Sequence, residues 1–186
     1  MVRRSRWLLA PLLLLAWMTP RRAHAERPSA TVTWTDEPPR IDGQLDDEVW
    51  RAAPAFGDFV ERRPKLAEPP PVATTFRVLV DTEAIYFAID CRDDQPAAIL
   101  ARTRKRDDFA VYEDDAITIK LDPALDRRTT FGFTVNPGDA RLDYRGINES
   151  EFRVEVDALW QAATARHDDG WSAEIRISWG PSGIDT

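Results

Sequence analysis

The chain has 186 residues, of which 43% are hydrophobic and 31% charged, with a net charge of −7. That acidic balance argues against nucleic acid or an anionic membrane surface as partner, because basic patches supply the affinity there. Cys91 is the only cysteine, so an internal disulfide is excluded.

The first element is a leader. Arg3, Arg4 and Arg6 precede an apolar run from Trp7 to Met18, and Ala23-His24-Ala25 puts small residues where a signal peptidase cuts. The run is shorter than the roughly 20 residues a membrane span needs, and it contains Pro11. Residues 1–25 therefore read as a secretory signal peptide, and export to the periplasm, the outer-membrane surface or the medium is expected. Its removal takes away five arginines and no acid, which moves the charge from −7 to −12. Residues 26–186 are long enough for one domain with a real core.

Thr31 to Thr35 is a short β-like segment among prolines. Asp42-Gly43 signals a turn, and Asp46 is expected to cap a short helix whose inner side carries Leu45, Val49 and Trp50. Residues 54–71, rich in proline and charge, read as an excursion over the surface held by Phe56, Phe59 and Val60. A hairpin follows: Phe76, Val78 and Val80 alternate with polar positions, Asp81-Thr82-Glu83 turns the chain, and Ile85, Phe87, Ile89 and Cys91 alternate in the return strand. Cys91 sits in phase with that apolar set and reads as a small core residue. Gln95 to Arg104 predicts a helical turn.

Ile117, Ile119 and Leu121, then Phe131, Phe133 and Val135, predict a second hairpin. The period of two puts each set on one face. A long charged loop, Asp122 to Thr130, joins the strands. Asp107, Asp108, Asp114 and Asp115 crowd one end of this hairpin, with Asp139 and Asp143 at the other. Weaker strands are expected over 152–156 and 160–166, and a clear one from Trp171 to Ile177 after the turn His167-Asp168-Asp169-Gly170. Many short strands, few helical periods and abundant turn residues give an all-β antiparallel sandwich.

The order of these pieces resembles the family 9 carbohydrate-binding modules. The matching residues are Ile41-Asp42-Gly43, Leu45-Asp46 and Trp50, then Phe59, Pro64 and the strand pair Arg77–Asp81 and Ile85–Asp93. Arg106-Asp107, Asp114-Asp115, Leu121-Asp122, Asp126, Phe133 through Gly138 and Asp143 follow. Trp160 with Ala162, and Gly170-Trp171 with Glu174–Ile177, complete the set. It is similar above all to the amino-terminal domain of a family of large bacterial outer-membrane proteins. The resemblance implies a jelly-roll-like or immunoglobulin-like sandwich, non-catalytic binding of a neutral oligo- or polysaccharide, and a link to carbohydrate breakdown. Where that family continues with further strands, this chain reads Ser178-Trp179-Gly180-Pro181-Ser182-Gly183. A sandwich truncated at its C-terminal end, with an unpaired edge, is therefore expected. The alternative readings are a structural or interaction domain of an outer-membrane protein lacking its barrel, associated with the membrane through downstream sequence, and an accessory module of a glycoside hydrolase.

The resemblance makes Arg106 and Asn136 the polar sugar contacts, with Asp115 beside them, and Trp160, which follows Asp157 at a strand start, is the candidate stacking ring. Arg106 could equally form a surface ion pair with Asp107 or Asp115, and Trp160 could equally be core. The acid clusters admit a solvated face, a catalytic carboxylate pair or calcium ligands. The resembled modules often carry structural calcium, for which Asp114, Asp122 and Asp126 are the candidates. No hydrolase motif singles out an acid pair, so no residue is assigned a catalytic role. After the leader the chain has no methionine and one histidine, His167. That leaves no Met/His pair for haem and too few ligands for zinc.

Overall fold

The computed structural model describes residues 28–62, 66, 68–148, 151–154, 158–180 and 184. The expected leader over residues 1–25 lies outside this set, as do Pro64 and residues 181–183. Nine strands are described: β1 (Thr33–Trp34), β2 (Thr74–Val80), β3 (Ala84–Arg92), β4 (Ile117–Leu121), β5 (Thr129–Val135), β6 (Arg141–Ile147), β7 (Glu151–Arg153), β8 (Trp160–His167) and β9 (Gly170–Ser178). No described helix is long and apolar enough to cross a membrane.

The strands form two sheets, ordered β1-β2-β3-β9-β8 and β4-β5-β6-β7. Every pairing is antiparallel except that of β1 with β2. Both expected hairpins form. In the first, Val78 pairs with Phe87 and Phe76 with Ile89. In the second, Ile119 pairs with Phe133 and Leu121 with Phe131. Paired residues share a face, so these apolar sets meet between the sheets with Trp160, Trp171, Ala173, Ile175 and Ile177. Cys91 packs against this core as expected.

The first sheet is covered on its other face too. Leu79, Ala84, Tyr86 and Ala88 pack under Trp50 and Ala53, with Ile41, Leu45 and Val49 at the margin. The alanines let the overlying segment approach closely. Gly43, at φ +86°, comes so near β8 that a Cβ there would lie 2.7 Å from the Thr164 carbonyl carbon. Glu174 fastens this cover. Its buried carboxylate accepts from the N–H groups of Asp42 (3.0 Å) and Gly43 (2.9 Å) and from Trp50 Nε1 (2.8 Å).

Three local expectations change. The short helix covers Val49–Ala52 and has no side-chain cap. Asp46 contacts Arg40 instead, because the chain turns to bring that arginine over the Asp46-Asp47 pair. Val60 does not pin the excursion, being mostly exposed, whereas Phe56 bridges to Phe76 and Phe59 packs on the same ring. The helical turn expected after Gln95 is a single 3-10 turn, Pro96–Ala98, and a second one spans Phe109–Glu113.

Candidate functional site

Arg106 lies at the rim of the second sheet and is paired. Its guanidinium donates to Asp143 Oδ1 (2.9 Å) and to Asp107 Oδ2 (3.3 Å). Asp143 is buried in β6 and also accepts from Trp160 Nε1 (2.9 Å) and the Ala158 N–H (3.1 Å). Burial pushes its carboxyl above the ordinary value, against the pull of the Trp160 and Ala158 donors and Arg106. The Trp160 ring is only 5% exposed and meets Phe133 edge to face at 5.3 Å. Its faces are inside the sandwich, so the stacking role expected of Trp160 gives way to packing: an N–H partner within the core made burial the better place for this ring.

Asn136 is likewise enclosed. Its Nδ2 donates to Thr103 O (2.9 Å) and Asp114 Oδ2 (2.8 Å), while Oδ1 accepts from the N–H groups of Gly138 and Ala140, both at 2.9 Å. With its amide fully engaged, it shapes the β5–β6 turn. Asp114 and Asp115 hold the segment preceding them. Asp114 accepts from the N–H groups of Arg102 and Thr103, and Asp115 Oδ2 from that of Leu100 (2.6 Å). Burial opposes ionisation of Asp114, but the Thr103 and Arg102 N–H groups and the Asn136 amide outweigh it and hold its carboxyl well below the usual range.

Asp122 and Asp126 build the β4–β5 loop. Asp122 accepts from the N–H groups of Asp126 and Arg127, and Asp126 from those of Arg128 and Thr129. Among the described residues no group of three or more acidic, histidine or cysteine side chains could hold a metal. Asp122 and Asp126 share the β4–β5 loop while Asp114 stands before β4, and the oxygens of all three already accept backbone N–H groups. His167 bridges Asp169 (2.9 Å) and Asp90 (3.1 Å) at the end of the first sheet.

Two concave features involve the second sheet. At β4, an edge strand, the sheets part over a mainly apolar cleft of about 670 Å³, lined by core-facing residues including Phe76, Phe87, Ile89, Ile117 and Trp171. The other feature lies on the outer face of the second sheet, a cavity of about 380 Å³ lined by Phe109, Tyr112, Thr118, Lys120, Tyr144 and Phe152.

The outer face has the chemistry of a sugar platform. Phe109, Tyr112 and Phe152 are each about half exposed (52, 47 and 53%). Phe109 and Tyr112 sit in the 3-10 turn, where residues three apart eclipse one another, and their ring centroids are 6.3 Å apart. Phe152 meets Tyr144 edge to face at 5.3 Å. Tyr144 is buried and lies over Gly132, which has no side chain to lift it. A row of hydroxyls lines the floor: Tyr112 OH lies 3.2 Å from Thr134 Oγ1, and Thr118 Oγ1 2.9 Å from the same atom. Burial raises both phenols above their ordinary range, so each stays a neutral donor and acceptor.

Sequence reasoning missed this face because it followed the apolar half of each alternation. Two signals could have found it. One is Phe109 and Tyr112 at a spacing of three. The other is Gly132, which takes a place in β5 where a side chain would otherwise fill the outer surface.

A family model described as "Carbohydrate family 9 binding domain-like" matches residues 41–186. No curated protein matches the chain significantly. Among solved structures, a family 9 carbohydrate-binding module from Caldicellulosiruptor kristjanssonii in complex with glucose superposes with a TM-score of 0.58 at 17% identity, covering 83% of this chain and 72% of that one. The module from the same organism in complex with cellotriose gives a TM-score of 0.59 at 17% identity, covering 84% and 70%. At such identity these two establish the shared sandwich, while the family match extends over most of the chain. This chain belongs to the carbohydrate family 9 binding domain-like family.

Proposed function

We propose that this domain binds carbohydrate without cleaving it, and that the outer face of the second sheet is where the sugar lies. The observation that carries the site is the set of three half-exposed rings, Phe109, Tyr112 and Phe152, around a cavity floored by hydroxyls. Pyranose rings present C–H faces that pack on aromatic faces, and their hydroxyls need partners that both donate and accept. Cleavage of a glycosidic bond would require two carboxyl groups flanking it. Among the described residues lining this cavity none is acidic. Family membership supports the same reading, and neighbours of the same fold hold glucose and cellotriose. An export leader over residues 1–25 would deliver the domain to where glycans are met.

Calorimetric titration with cellotriose and retention on immobilised polysaccharides test the reading. Binding is expected, with Tyr112→Ala and Phe109→Ala each weakening it about tenfold while the fold persists. Absence of retention on any polysaccharide would overturn it. Binding that both alanine variants leave untouched would move the site elsewhere.

A further inference from the structure

Lys120 stands out on the proposed platform. It lies in β4 on the same face as Thr118, and its strand partner is Gly132, over which the Tyr144 ring rests. Its side chain is exposed and, among the described residues, is the only charged group lining the aromatic cavity. Several arginines have acidic partners: Arg40 beside Asp42, Asp46 and Asp47, Arg92 beside Asp90, Arg102 beside Asp114, Arg106 beside Asp143 and Arg176 beside Glu83. Lys120 forms no ion pair among the described residues. In a chain with 32 acidic residues against 25 basic ones, an ammonium without an acidic partner at the margin of an aromatic cavity stays available to an anionic ligand.

We infer that the platform takes a sugar bearing a carboxylate, a uronic acid residue, with its ring on the aromatic side chains and its carboxylate on Lys120 Nζ. This rests on the sugar-binding reading of the same face and names the ligand class within it. A pyranuronate carries its carboxylate at the ring edge, so the ring can stack while the charge reaches a group at the cavity margin. The ammonium offers three donors and a full charge to that carboxylate, a stronger contact than a neutral hydroxyl receives. The overall negative charge disfavours anions at long range. Selectivity would therefore come from this one contact, and salt would screen it.

The test compares cellotetraose with the β-1,4-linked tetrasaccharide of glucuronic acid on the full chain, at low and high salt, and on Lys120→Gln. An exposed ion pair predicts about fivefold tighter binding of the acidic ligand at low salt. The ratio of the two affinities should fall toward one in high salt and in Lys120→Gln, and recover in Lys120→Arg. Equal or tighter binding of cellotetraose, or a preference that Lys120→Gln leaves in place, would overturn the inference and leave the sugar-binding reading standing. Failure of both ligands to bind would overturn the inference together with that reading.

Discussion

The ring of Tyr144 lies across Gly132 on the neighbouring strand, so close that a Cβ on the glycine would come within 2.2 Å of Tyr144 Cε1 and Cζ. No L side chain fits in that space without moving the ring. Gly132→Ala should therefore displace Tyr144 and disturb the Phe152 contact above it. A stability loss of about 1–3 kcal/mol is expected from such overpacking, together with loss of sugar binding. Urea denaturation and ligand titration on the same sample check both. A variant that binds normally would show that the cavity floor is not part of the site.

Asp114 makes a prediction about acid. Its folded carboxyl titrates below the ordinary value of 3.8, so the unfolded chain takes up its proton first as pH falls. The stabilisation is present above that ordinary value and is lost as pH drops through the window beneath it. Asp114→Asn should cost about 1–3 kcal/mol near neutral pH, because the N–H groups of Arg102 and Thr103 lose a charged acceptor. The gap between wild type and variant should shrink as pH falls from about 4 toward 2. Chemical denaturation across that range measures it, and a constant gap would contradict the argument.

Trp160 separates packing from binding. Trp160→Phe keeps an aromatic ring against Phe133 but removes the Nε1 donor to Asp143. Asp143 retains the Ala158 N–H and Arg106. The expected result is a loss of about 1–3 kcal/mol in stability with sugar affinity unmoved. A fall in affinity without a fall in stability would return this tryptophan to a stacking role.

Cys91 should behave as a core thiol. Burial pushes the thiol up to about 11, against the pull of the Thr74 hydroxyl, which donates to its sulfur at 3.9 Å. Since the thiolate is the reactive form, iodoacetamide should modify the native protein slowly at about pH 8 and the unfolded protein quickly. Mass spectrometry reads the difference. Equal rates would place Cys91 outside the core.

Hairpins were legible in the sequence because alternation is a property of neighbours. Ile117, Ile119 and Leu121 against Phe131, Phe133 and Val135 needed only the pleat and a plausible loop, and their pairing followed. The same local logic gave β3 and β9 and the core position of Cys91. Boundaries where partners are distant were less legible, as with β7, described over Glu151–Arg153 against the expected 152–156.

The candidate site was legible only in its general neighbourhood. The family resemblance marked Arg106 and Asn136, and residue type added Trp160 and Asp115, but neither reveals which groups will satisfy one another. Asn136 and Asp114 are 22 positions apart, and Trp160 and Asp143 17 apart, and each pair closes a hydrogen bond inside the fold. A buried polar group must be paired, so these residues were enclosed once tertiary contacts supplied their partners.

By itself, then, the sequence determined a β-sandwich, its two hairpins and the face each strand turns inward, because a period of two and turn chemistry act over a few residues. The tertiary structure decided which polar residues are enclosed in the protein and which rings remain for a ligand. Gly132 has no side chain of its own to mark a site. It acquires meaning only when β6 brings Tyr144 across it and the turn carrying Phe109 and Tyr112 settles alongside.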